Sequence, residues 1–337
     1  MAKDITLFGY FGRIAKEMDK AMNEDNAPIA TTADVREIVS EMVTQTFLNS
    51  VNAVSKTPTT ETIASKEFLF ANGTPITITE REDGVAGAKV VFDGGEFLVS
   101  ENAYIFGGCH NDDTLVNSNI TIEGGTVRNI FGGGLHKSHT VKAKIVMTGG
   151  IVKNLSGGAA DQLVGTCTCS NRIYEGPIKD SWAVVEDIEM VLKGGEVSSL
   201  LYGGGMGYSR EKSTKIVVEE GFVASGWTTA SGANGHTDIA SLVINGGTFN
   251  VVQGINRGTI DTVDLVVNGG EINKFFVGGE LPFAGTPEKP NANDPHGTFG
   301  KANCTLNGGN IKEFSLGGNS YAAIEEGADC VNLVDNR

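Results

Sequence analysis

A nine-residue unit centred on a glycine pair recurs eight times between Lys89 and Ile311: KVVFDGGEF, NITIEGGTV, KIVMTGGIV, EMVLKGGEV, KIVVEEGFV, SLVINGGTF, DLVVNGGEI and NCTLNGGNI. Any fold for this chain must return to the same corner at each copy. Two residues before the pair stand Phe92, Ile122, Met147, Leu192, Val218, Ile244, Val267 and Leu306. Two residues earlier come Val90, Ile120, Ile145, Met190, Ile216, Leu242, Leu265 and Cys304, and two residues after the pair come Phe97, Val127, Val152, Val197, Val223, Phe249, Ile272 and Ile311. Apolar residues at a spacing of two define a strand with one buried face. In the fifth copy Glu220 takes the place of the first glycine.

A second glycine cluster lies seven or eight residues beyond most pairs: Gly107-Gly108, Gly132 to Gly134, Gly157-Gly158, Gly203 to Gly205, Gly278-Gly279 and Gly317-Gly318. Each unit therefore has two strands and two corners. N-G-G would ordinarily signal a tight hairpin, but a paired corner in every unit favours stacking over reversal. The first positions of the pairs, 94, 124, 149, 194, 220, 246, 269 and 308, are separated by 30, 25, 45, 26, 26, 23 and 39 residues. A turn of 23 to 26 residues thus recurs, with insertions in the first, third and seventh gaps. That is the signature of a parallel β-solenoid, in which like residues stack about 4.8 Å apart and glycine corners clear one another. A β-sandwich does not repeat one corner at one place, and a propeller blade needs roughly 40 residues. The expectation is a mainly β chain: a parallel β-helix of about eight Gly-Gly-cornered rungs over 88–337, right-handed by analogy with parallel crossovers, preceded by connecting strand over 66–87.

Residues 1–65 differ in kind. Val35, Val39, Met42, Val43, Phe47, Val51 and Val54 recur at steps of three and four in TTADVREIVSEMVTQTFLNSVNAVSK, with Thr32 and Asp34 as N-cap chemistry. The reading is an amphipathic helix joined to the solenoid by the polar linker SKTPTTETIASK. Its stripe must bury itself on copies of the same helix, on a partner, or as a cap on the first rung. Phe8, Tyr10 and Phe11 in LFGYFG form an aromatic patch suited to docking or to the same cap.

Composition excludes several classes. The 46 glycines follow no collagen period, and 26 basic against 41 acidic residues give a formal charge of -15, which disfavours nucleic acid and anionic lipid. The N-terminal sequence contains no secretory h-region and the chain no apolar run of 18 residues, so neither export nor membrane insertion is expected. Five scattered cysteines suit a reducing compartment. Cys167 and Cys169 have no second pair at zinc spacing. No metal and no cofactor is expected.

Polysaccharide-cleaving β-helices set two or three carboxylates on adjacent rungs facing one groove. The candidates here are Asp112 and Asp113, with His110 and Cys109 beside them; His136 and His139; Asp161, Glu175 and Asp180; and Asp294 with His296. None repeats in register with the glycine pairs. Trp182 and Trp227 are isolated, so no row of aromatic sugar platforms is visible. No catalytic residue is assigned. Variable material gathers instead in 159–187 and 280–302, where a solenoid presents binding surface.

A helical N-terminus followed by a solenoid of ITIEGGTVRNIFGGG-like units resembles the plan of bacteriophage fibre and spike proteins. The likeness lies in the order of parts, and similar Gly-Gly units also look like those of bacterial surface β-helix proteins. The resemblance implies a homotrimer in the virion, bound to capsid or tail through Phe8, Tyr10, Phe11, Val35, Val39, Met42, Val43 and Phe47. The distal rungs would then face the host and its surface glycans. The chain is shorter than typical spike depolymerases, which points to a non-enzymatic head fibre or decoration protein ahead of a depolymerase or a surface adhesin.

Overall fold

The structure, a computed structural model, describes residues 53–160, 183–207, 209–233, 235–256, 259–279, 285–286, 289–290, 298–316 and 331–336. The chain divides into Met1–Asn52 and Ala53–Arg337, and all of the described strands belong to the second unit. The expected N-terminal helix and aromatic patch, with Phe8, Tyr10, Phe11, Val35, Val39, Met42, Val43 and Phe47, lie outside the described residues, which contain no helix; Val54, at the end of the expected stripe, is exposed and non-helical.

The unit opens with a hairpin, β1 (Thr59–Ile63) and β2 (Lys66–Phe70), then β3 (Ile76–Thr79), a second hairpin of β4 (Gly87–Phe92) and β5 (Gly95–Ser100), and a short β6 (Tyr104–Phe106). Strands then alternate across the glycine pairs: β7 (Leu115–Ile122) and β8 (Thr126–Phe131), β9 (His139–Met147) and β10 (Ile151–Ser156), β11 (Ala183–Leu192) and β12 (Gly195–Tyr202). The series continues with β13 (Ser209–Val218) and β14 (Phe222–Thr229), β15 (His236–Ile244) and β16 (Thr248–Ile255), and β17 (Thr259–Val267) and β18 (Glu271–Gly279). A small ladder of β19 (Gly285–Thr286) and β20 (Lys289–Pro290) precedes β21 (Thr298–Leu306), β22 (Asn310–Ser315) and β23 (Val331–Asp335).

Two long sheets result. One runs β1-β2-β6-β8-β10-β12-β14-β16-β18-β22, the other β23-β21-β17-β15-β13-β11-β9-β7-β3-β4-β5. From β2 and β3 onward every neighbour in them is parallel except at the edge strands β1, β4 and β5. Parallel partners one turn apart, with each strand from β7 to β16 bonded to the next but one in sequence, are what a solenoid requires.

Register follows the apolar columns. Ile120, Ile145, Met190, Ile216, Leu242, Leu265 and Cys304 stand one above another, each at most 1% exposed. Opposite them the inner face of the second sheet supplies Leu69, Ile105, Ile130, Leu155, Leu201, Val252 and Phe275 to the same core. A smaller aromatic cluster of Phe68, Phe70, Tyr104, Phe106 and Phe131 packs with Leu135 and Ala160.

Corner geometry explains why two glycines are needed. In each rung the second glycine of the pair has positive φ, from 79° at Gly150 to 93° at Gly270, a region L-residues avoid. The first faces the rung before it: a Cβ on Gly269 would lie 2.4 Å from the Asn245 carbonyl oxygen. The residue before the pair is chosen for stacking and not for its own φ. Asn268 donates to Asn245, Asn307 to Asn268 and Asn336 to Asn307, each at 2.8 Å, in a side-chain ladder up the corner.

Three points depart from the sequence reading. The first copy, KVVFDGGEF, is not a rung: β4 and β5 pair antiparallel with Phe92 opposite Gly95, so Asp93-Gly94 is the hairpin loop that D-G usually signals. This hairpin covers the outer edge of β3, and Glu80 accepts a bond from the Gly125 amide at 2.9 Å. In the fifth copy the inward residue is Ala224, aligned with Val197 and Phe249, and Val223 is half-buried. With Glu220 in the glycine position, the chain uses one more residue to turn and Phe222 fills the gap, fully buried. Finally, a third parallel ladder of single bridges joins His110, Leu135, Ala160, Met206 and Ala233 just past the second glycine cluster.

Candidate functional site: the loop edge

After the second glycine cluster the chain leaves one sheet and re-enters the other. Every such crossing lies along one edge of the solenoid, because the rungs stack in register. The three longest connections begin and end there, between β10 and β11, β18 and β21, and β22 and β23. The edge also carries a band of titratable side chains at the starts of β9, β11, β13, β15 and β17.

Strand alternation sorts that band into two layers. On β13 the run Ser209-Arg210-Glu211 sends Arg210 outward and its two neighbours inward. Glu211 is fully buried: Oε1 accepts from Ser209 Oγ at 2.6 Å and the Gly205 amide at 2.9 Å, and Oε2 from Thr237 Oγ1 at 3.1 Å. Burial pushes its carboxyl above the ordinary range even against those bonds. The glycine corners make the space, since a Cβ on Gly158 would lie 2.7 Å from Oε1 and one on Gly204 2.9 Å from Oε2.

The outer layer runs across three rungs. Arg210 stacks on His236, which stacks on Thr259. Arg210 Nη2 donates to both carboxylate oxygens of Asp238, at 2.9 and 3.1 Å. His236 places Nε2 3.0 Å from Asp238 Oδ1 and 3.9 Å from Asp261 Oδ2, while Nδ1 meets Thr259 Oγ1 at 2.7 Å. Partial burial works against ionising Asp238, but His236 and Arg210 outweigh it and hold the carboxyl below its usual range. Two rungs away His139 Nε2 pairs with Glu186 at 2.8 Å.

None of the known protein families, curated proteins or solved structures compared with this chain matches it. The functional reading therefore rests on the edge itself.

The sequence candidates near the first rungs have separate partners. Asp112 bonds Lys56 at 2.6 Å and the Thr114 hydroxyl and amide, which together lower its carboxyl to about 2. Asp113 pairs with Lys137 at 3.1 Å. The two neighbours thus engage different cations and do not converge on one groove. His110 stacks on Phe70 and bonds Glu61 at 2.8 Å, and His136 lies 5.6 Å from it. Cys109 is buried, which pushes its thiol up, and Cys304 is an inward core residue. Trp227 is half-buried on β14. Asp161, Cys167, Cys169, Glu175, Asp180, Trp182, Asp294 and His296 lie outside the described residues.

Arg210, Glu211, His236, Asp238 and Asp261 escaped the sequence reading. The signal was present eight to ten residues before the pairs: Asp238 and Asp261 each stand eight before Gly246 and Gly269, and His236 and Thr259 each stand ten before. Extending the column alignment past the apolar strand would have stacked them.

Proposed function

We propose that this chain is a structural and binding protein, a solenoid attached through residues 1–52 that presents its loop edge to a partner, in the manner of bacteriophage head-fibre or decoration proteins. The observation that carries the reading is that the three longest connections begin and end, beside the polar band of β9 to β17, on a single edge. Solenoids put variable loops on the face that binds. The Asp112 and Asp113 carboxylates are tied to Lys56 and Lys137, which favours binding over glycoside hydrolysis at that position. On this reading the protein is a homotrimer joined through the N-terminal segment, and its ligand is a surface glycan.

Light scattering on the full chain beside a chain beginning at Ala53 tests the assembly. The cut belongs there because Lys56 and β1 are bonded into the first rung. A trimer that becomes a monomer supports attachment and assembly through the N-terminal segment. A monomer in both cases overturns the trimer and leaves a single-copy binding module.

A further inference from the structure

We infer that His236, Asp238 and Asp261 form a binding site for one divalent transition-metal ion, zinc or an ion of similar preference. The site does not depend on the proposed assembly. His236 Nε2 and one carboxylate oxygen from each aspartate lie within 4.8 Å of one another. They come from two adjacent rungs, β15 and β17, so main-chain stacking fixes their spacing.

A metal at about 2.1 Å from nitrogen and oxygen ligands holds neighbouring donors about 3.0 to 3.4 Å apart. Asp238 already stands 3.0 Å from Nε2, and Asp261 needs to close from 3.9 Å by about half an ångström. Asp261 is 68% exposed in its side chain, so that movement displaces only water. At 3.9 Å its contact with His236 is too long for a hydrogen bond. The imidazole and Asp238 are more enclosed, at 16% and 28%. Thr259 supports the ring from behind: without metal, Nε2–H donates to Asp238, and binding moves the proton to Nδ1, which then donates to Thr259 Oγ1 and leaves the Nε2 lone pair to the ion, the arrangement a metal-bound histidine adopts. One imidazole and two carboxylates select a borderline ion over calcium, and the exposed side leaves room for water ligands. Arg210 orients Asp238 but adds a positive charge next to the ion, so it limits affinity.

The test is calorimetric titration of full-length protein, stripped with chelator, with zinc chloride. The parent is compared with His236→Ala, Asp261→Asn, Thr259→Val and Arg210→Gln, the fold of each being checked by circular dichroism. Each of the first two is expected to lose one equivalent of bound zinc, which separates this site from any other on the chain. Thr259→Val is expected to weaken the remaining site about tenfold or more by releasing the ring, and Arg210→Gln to tighten it. Saturating zinc should raise the melting temperature of the parent but not of His236→Ala. Unchanged stoichiometry and affinity in folded His236→Ala and Asp261→Asn, or no binding by the parent at millimolar zinc, would overturn the site.

Discussion

At the seventh corner, Gly269 and Gly270 answer to different physics. A methyl on Gly269 meets the Asn245 carbonyl oxygen of the rung before it at 2.4 Å, while Gly270 holds φ at 93°. Gly269→Ala is expected to cost about 1 to 3 kcal/mol by overpacking, and Gly270→Ala about 1 to 2 kcal/mol by backbone strain, both read by urea unfolding. Gly84, with φ of 71° in open space, supplies the control in which strain acts alone. Glu211 predicts a pH dependence of opposite sign to that of most carboxylates. Its folded-state pKa is raised above the unfolded value. The stability it contributes is complete below the unfolded value and is lost as pH rises through the folded one. Glu211→Gln, which can donate to Thr237 Oγ1 while keeping the Ser209 and Gly205 bonds, removes that loss. Its melting temperature should therefore exceed the parent's increasingly as pH is raised from 4 to 7, and a gap that narrows over this range would refute the assignment.

Among the elements, the β4–β5 hairpin and the asparagine ladder do opposite work. The ladder continues the stack. Asn268→Ala removes its bonds to Asn245 and Asn307, both exposed, for an expected loss of about 1 kcal/mol in denaturant unfolding. The hairpin ends the stack. Replacing Arg81–Glu101 by a short glycine-serine linker exposes the edge of β3, and concentration-dependent growth in light scattering is the expected result. Part of this was legible in sequence: alternation at a spacing of two identified the inward residues next to each glycine corner, such as Ile145, Met147 and Val152, but not those farther along the strands, such as Ile188, Leu155 and Phe275. Alternation cannot tell a parallel neighbour from an antiparallel one, however, so KVVFDGGEF read as a rung. Nor could it see that the corner at Glu220 takes an extra residue and moves the inward place from Val223 to Ala224. The ladder through Leu135, Ala160 and Met206 is one residue wide per rung and leaves no periodic trace. The His236, Asp238 and Asp261 set was missed for another reason: the column alignment stopped at the apolar positions, although the same register, carried eight to ten residues before the pairs, sets β15 on β17 at these residues.

Across Ala53–Arg337, stability is carried from rung to neighbouring rung, as in other repeat architectures. Damage at one corner should therefore be felt most by the two turns that touch it. Hydrogen exchange checks this: in Gly269→Ala, amides of β15 to β18 and of β21 and β22 should lose protection more than those of β7 to β10. Uniform loss along the chain would mean that the body unfolds as one block. The segment Gly246–Asn268 is a complete turn, and its last residue, Asn268, already bonds through its side chain to Asn245, the residue just before its first. A tandem copy of that 23-residue segment would present to each neighbour the same surface it meets now. Genes built from such units can grow or shrink by whole in-frame duplications, and the reach of the protein would change in increments of about 4.8 Å with no new interface to evolve.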